Sequence, residues 1–136
     1  MYISHKRTKM NDIYISNKNL KKLENIPEII DRNFNCSYNQ LISLKGSPKI
    51  VGGYFDCSFN KLNNLEGRPK IIGTDFYCPY NQLISLKGSP KIVGCYFYCH
   101  ENKLTSLIYS PRNTHYFWSA NNHLLSTDYV PHCKNL

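Results

Sequence analysis

The chain has 136 residues, with 17 Lys plus Arg against 9 Asp plus Glu and a formal net charge of +8. That length fits one domain with a continuous core, and 41% hydrophobic and 13% aromatic residues argue against intrinsic disorder. No apolar run approaches the roughly 20 residues a membrane span requires, and the basic opening of residues 1–10 leads into no apolar stretch, so neither a span nor a secretory signal is expected. A soluble, cytoplasmic protein is the expectation. The charge points by default to an acidic partner such as nucleic acid. The 11 Tyr, 6 Phe and 1 Trp are a second oddity.

Residues 1–11 form a basic N-terminal segment carrying Lys6, Arg7 and Lys9. From residue 12 onward a unit recurs. Ile13, Ile15, Leu20, Leu23 and Pro27 open the series, with Lys18 where later units carry Asn. Residues 39–51 read NQLISLKGSPKIV and recur unchanged at 81–93, with NKLNNLEGRPKII between them at 60–72. The interval is 21 residues, kept by Phe34, Phe55, Phe76 and Phe97, by Cys36, Cys57, Cys78 and Cys99, by Asn39, Asn60, Asn81 and Asn102, and by Pro48, Pro69, Pro90 and Pro111. Phe117, Ser119, Asn122, Leu124 and Pro131 continue the series after a one-residue deletion, with Thr127 in a Leu slot. Residues 12–131 therefore make one domain of about six units of 20–21 residues, followed by a tail at 132–136. The degenerate outer units are expected as caps.

Within each unit, Phe-x-Cys alternation predicts a short strand with one face buried. Gly46, Gly67 and Gly88, each two residues before a Pro, oppose a helix and predict an extended return. Stacked units pair parallel strands ~4.8 Å apart. The Asn column is expected to form an interior ladder that satisfies backbone groups of the turns. Gly52, Gly73 and Gly94 precede the strands and are expected to permit a tight bend.

Written as F-x-C-x-x-N-x-L-x-x-L-x-G-x-P, the unit resembles the leucine-rich-repeat motif LxLxxNxL, with Phe and Cys in the first two Leu slots. Its length resembles the short bacterial and viral repeats, and its wording looks like that of repeat proteins encoded by bacteriophages and large DNA viruses. The resemblance implies a right-handed leucine-rich-repeat solenoid, with a parallel sheet on the concave side and an extended convex side with little or no helix. It also implies a non-enzymatic scaffold that binds a protein. If the viral likeness reflects origin, that partner is a host protein in the host cytoplasm, which binding would inhibit.

The cysteine column would align along the stacking direction, whereas structural zinc needs ligands converging tetrahedrally, usually from close C-x2–4-C pairs. Buried free thiols are expected, consistent with a reducing compartment. Cys95 and Cys99 form C-x3-C without a second pair, and His100, His115, His123 and His132 lack metal-motif context, so they are read as surface or capping residues. Neither a metal, a cofactor nor a catalytic constellation is expected.

Three columns should project from the concave sheet. One reads Tyr14, Asn35, Asp56, Tyr77, Tyr98, Trp118; a second Asp12, Asn33, Tyr54, Asp75, Tyr96, Tyr116; a third Asn17, Tyr38, Phe59, Tyr80, Glu101, Asn121. They contain four acids and neither Lys nor Arg. Exposed aromatics are enriched at binding interfaces. The expected partner contacts are Tyr54, Asp56, Phe59, Asp75, Tyr77, Tyr80, Tyr96, Tyr98, Glu101, Tyr116 and Trp118. Stacking of aromatics between strands accounts for such ladders without a partner, but not for the missing lysines. The positive charge gathers in Lys49, Lys70, Lys91 and Arg112, just after the prolines, with Lys45 and Lys87 nearby. That column is either a solvated convex face or a strip that grips phosphates or an acidic protein surface, and nucleic-acid binding through it, or through bases stacked on the aromatics, is the second alternative. Self-association through strand edges at the solenoid ends is the third alternative.

Overall fold

The computed structural model describes residues 11–125. Ten short strands follow one another: β1 (Ile13–Tyr14), β2 (Ile29–Ile30), β3 (Phe34–Asn35), β4 (Ile50–Val51), β5 (Phe55–Asp56), β6 (Ile71–Ile72), β7 (Phe76–Tyr77), β8 (Ile92–Val93), β9 (Tyr96–Tyr98) and β10 (Tyr116–Trp118). They wind into a parallel β-solenoid of about five turns, here called coils. Among the described residues there is no helix, hence none long and apolar enough to cross a membrane. Lys6, Arg7, Lys9, Thr127, Pro131, His132 and Cys133 lie outside the described residues.

One sheet has six strands in the order β1-β3-β5-β7-β9-β10, all neighbours parallel and in register at the 21-residue interval, with a 20-residue step between β9 and β10. The extended return contributes a second sheet, β2-β4-β6-β8, also parallel. This second sheet was not expected from the sequence. Its two-residue strands form because stacking brings Ile29, Ile50, Ile71 and Ile92 into register, not because a local alternation declares them.

Between the sheets lies a core built of columns. Phe34, Phe55, Phe76 and Phe97, the four cysteines, the paired leucines from Leu41 to Leu86, and Ile30, Val51 and Ile72 are all fully buried. The phenylalanine rings stack from coil to coil at centroid separations of 5.2–5.7 Å. Burying each such side chain is worth about 1.5–3 kcal/mol.

The asparagine column is the predicted ladder. Asn60 Oδ1 accepts from the Leu41 N–H at 2.9 Å, and its Nδ2 donates to the Cys36 carbonyl of the preceding coil at 3.1 Å. The same Nδ2 reaches the Cys57 and Ser58 carbonyls of its own turn at 3.1 and 3.2 Å. Asn39, Asn81, Asn102 and Asn122 repeat the arrangement.

The Gly52, Gly73 and Gly94 column lies at bends, as expected, and has a further cause. None of the three adopts positive φ; the positions at +86° to +93° are Gly46, Gly67 and Gly88. Gly52, Gly73 and Gly94 are instead close-approach residues. A Cβ on Gly73 would sit 1.9 Å from the Gly52 carbonyl oxygen, and one on Gly94 would sit 1.9 Å from that of Gly73.

Candidate functional site

Because Phe34 and its equivalents point inward, strand alternation turns the residues on either side outward. The register of the six-stranded sheet sets Asn35, Asp56, Tyr77, Tyr98 and Trp118 side by side. Tyr77 and Tyr98 stack at 4.8 Å, 5° from parallel, and Tyr54 meets Tyr77 edge-on at 5.9 Å. Tyr96, Tyr116 and Trp118 continue the surface. Ten of the eleven expected contact residues thus lie in one aromatic network or among its immediate strand neighbours, and Glu101 borders it next to His100.

The acids are held in place. Asp75 accepts from the Tyr77 hydroxyl at 3.0 Å and from the Tyr96 N–H at 3.1 Å. Burial, followed by this bond to Asp75, pushes the Tyr77 phenol well above its usual range. Burial also drives the Tyr54 phenol up to about 12. Asp56 accepts from the Ser58 N–H and hydroxyl, which favour its charged form, yet burial prevails and raises its pKa.

One coil earlier, Asn35 makes the same pair of bonds to Ser37 without a charge. Asp56→Asn is therefore expected to raise the thermal midpoint at pH 7. A carboxylate whose folded pKa lies above its unfolded value destabilises at neutral pH. That penalty fades as pH falls through the folded pKa towards the ordinary carboxylate range. The advantage of the variant should shrink in step, as thermal melts from pH 7 down to pH 3 would check.

The third column departs from ordinary strand geometry. Tyr38, Phe59, Tyr80 and Glu101 have φ between 53° and 55°, in the left-handed region, where bulky L-residues are disfavoured by about 1–2 kcal/mol. Asn17 and Asn121 fill the same position in the outer coils, and asparagine tolerates it best after glycine. The rings of Tyr38, Phe59 and Tyr80 stack at 4.2 and 4.3 Å, within 9° of parallel, which offsets part of the backbone cost. They remain 56%, 37% and 45% exposed. Tyr38, outside the expected contact set, belongs to this stack. Mutual stacking turns the ring edges outward, so an intercalating nucleobase would have to displace ring–ring contacts.

His100 was read from sequence as a surface or capping residue; its position is more specific. Its column otherwise reads Ser16, Ser37, Ser58, Pro79 and Ala120, so His100 is the one large side chain there. The imidazole meets Tyr80 edge-on at 5.8 Å, Tyr98 edge-on at 6.3 Å and Trp118 at 5.2 Å, tilted 35°. It thereby joins the left-handed column to the sheet face. Burial, which favours the neutral ring, lowers its pKa against the opposing influence of Glu101. The interruption of a column of small residues was the available sequence signal.

Comparison with protein-family models, with curated proteins and with solved structures found no match for this chain.

Elsewhere, Lys49, Lys70, Lys91 and Arg112 are all exposed in a column beside the second sheet. Lys49 pairs with Glu28 at 3.1 Å, while Lys70, Lys91 and Arg112 have no ion pair among the described residues. Lys91 and Arg112 flank a groove of about 420 Å³. Cys36, Cys57, Cys78 and Cys99 are buried free thiols, and burial pushes each thiol pKa upward. Cys57 and Cys78 donate to the carbonyls of Tyr77 and Tyr98 at 3.3 and 3.2 Å. They are held as protonated thiols, not as the thiolates that nucleophilic attack or metal ligation uses. No group of three or more His, Cys, Asp or Glu able to hold a metal occurs among the described residues.

Proposed function

We propose that this chain is a non-enzymatic scaffold of the leucine-rich-repeat type, with its six-stranded sheet on the concave side, that binds a protein partner through its aromatic, mildly acidic face. The observation that carries this reading is the exposed stack of Tyr38, Phe59 and Tyr80 at positive φ. The fold requires a left-handed residue at this position in every coil, but not a bulky ring, and strain of that kind collects at sites of function. Asparagine, which the outer coils use, would meet the same backbone demand at lower cost. The aromatic rings supply contact area for a partner at little entropic cost. The likeness of the repeat to those of bacteriophages and large DNA viruses supports a host protein as that partner, bound in the host cytoplasm and inhibited by binding.

The combined variant Tyr38→Asn, Phe59→Asn, Tyr80→Asn tests the proposal. Its unfolding free energy should stay within about 1–2 kcal/mol of the parent, because relief of strain offsets lost stacking. Partner recovery in affinity purification and mass spectrometry from the native or infected cell should fall at least tenfold. Unchanged recovery would reject this face.

Lys70, Lys91 and Arg112, without an ion pair among the described residues, support a second reading, in which that strip binds nucleic acid. Binding through three phosphate contacts would weaken with salt, at a log–log slope of about −2 to −3. A gel-shift series on single- and double-stranded DNA and RNA separates the two readings. The acids of the aromatic face oppose a phosphate backbone there.

A further inference from the structure

The aromatic face changes character along its length. Through Tyr38, Phe59 and Tyr80, and again through Tyr77 and Tyr98, rings lie parallel and cover one another's faces. At Tyr98, His100 and Trp118 that order breaks. Tyr98 and His100 are 84° apart, Tyr98 and Trp118 are 49° apart, and Trp118 is 46% exposed. A ring face carries the negative end of the aromatic quadrupole, so an uncovered one attracts a cation. The surrounding charges act in the same sense. Glu101 follows His100 and accepts from the Asn121 amide, while Asp75 accepts from the Tyr96 N–H. None of the three outward columns contains a Lys or Arg to occupy the cluster from within.

We infer that Tyr98, His100 and Trp118, with Glu101 beside them, form the seat for the guanidinium of an arginine side chain on the protein partner. The inference rests on the protein-binding reading and names the chemistry of its ligand. The geometry selects guanidinium over an enclosed ammonium. Holding an ion between two ring faces needs a gap of roughly 7 Å, two carbon contact distances. Here the ring centroids are only 5.2–6.4 Å apart. The cluster is an open platform. A planar, weakly hydrated guanidinium can lie flat on Trp118 while its N–H edge turns to a carboxylate. The Asp75 carboxylate contributes to the raised phenol pKa of Tyr98, second to burial, which places negative potential at the cluster.

Trp118 is the sole tryptophan of the chain, so its emission reports on the seat directly. The full chain is titrated with a blocked arginine dipeptide, with the same peptide carrying citrulline (the uncharged isostere) and with the lysine analogue. Arginine should change Trp118 emission saturably, lysine should bind about three- to tenfold more weakly, and citrulline should not saturate. Glu101→Gln should weaken the arginine response about three- to tenfold while leaving the thermal midpoint in place. A citrulline response equal to that of arginine, the absence of saturation, an unaltered affinity in Glu101→Gln, or a lysine response equal to that of arginine would each overturn the assignment. The titration needs no knowledge of the partner. If it fails while the triple asparagine variant still loses its partner, the arginine seat falls and the wider reading stands. If arginine titrates but partner recovery survives the triple variant, the wider reading falls.

Discussion

Asn81→Ala is expected to lower the unfolding free energy by about 3–5 kcal/mol, read as a shift of the urea midpoint at unchanged slope. The side chain accepts from the Leu62 N–H at 3.0 Å and donates to the Cys57 carbonyl of the preceding coil at 3.0 Å. It also reaches the Cys78 and Pro79 carbonyls of its own turn at 3.3 Å. Asn81 lies among fully buried leucines and cysteines, so truncation leaves at least two backbone groups unpaired and away from water. Each orphaned group costs about 1–3 kcal/mol. Asn81→Asp should fare no better, because it loses the donor and buries a charge. A loss below about 1 kcal/mol would show that water replaces the amide and that the ladder does not hold the coils.

Gly73→Ala is expected to cost about 3 kcal/mol or more, beyond what helix or strand propensity assigns to this exchange. The added Cβ would lie 1.9 Å from the Gly52 oxygen and 2.7 Å from its carbonyl carbon. Both atoms are backbone, and Gly73 N–H is itself bonded to the Val51 carbonyl at 2.8 Å, so relief requires two coils to part. Gly53→Ala is the natural comparison. Its Cβ would meet the side-chain oxygen of Asn33 at 2.1 Å and the Arg32 carbonyl carbon at 3.0 Å; the Asn33 side chain can turn away at the cost of the bond it accepts from the Tyr54 N–H. The second variant should therefore lose clearly less stability in the same urea titration.

The repeat made much of the architecture legible before the structure. Phe34-x-Cys36 alternation announced a strand, the 21-residue interval announced its neighbours, and both appear as in-register parallel pairs. The role of Asn39, Asn60, Asn81 and Asn102 was equally readable, because a buried polar column inside an apolar repeat can only serve backbone groups. What escaped was whatever the stacked neighbour creates. Ile29–Ile30 and Ile50–Val51 become strands only when coils align, and two residues carry no period of their own. The reason for Gly73 is likewise an approach between coils, invisible along one coil.

The candidate surface was legible as columns of aromatics and acids, but not as conformations. Nothing in Tyr38, Phe59 or Tyr80 advertises a left-handed backbone; the hint lay in Asn17 and Asn121 at the ends of the same column. His100 stands out only against the small residues above and below it in its column, not among the other histidines. The +8 charge was the poorest guide, since Lys49, Lys70, Lys91 and Arg112 stand beside the second sheet, while the aromatic columns hold four acids and neither Lys nor Arg.

The direction of the hydrogen bonds has a mechanical consequence. From Phe34 N–H to Tyr54 O, and from Gly52 N–H to Ile30 O, the bonds between coils run along the stacking axis. Tension between the two chain ends therefore loads the coils in series, and the outermost one peels first. Each coil released frees 21 residues, about 70 Å of extended chain. The molecule lengthens in discrete steps while every coil not yet peeled keeps its register and its share of the aromatic surface.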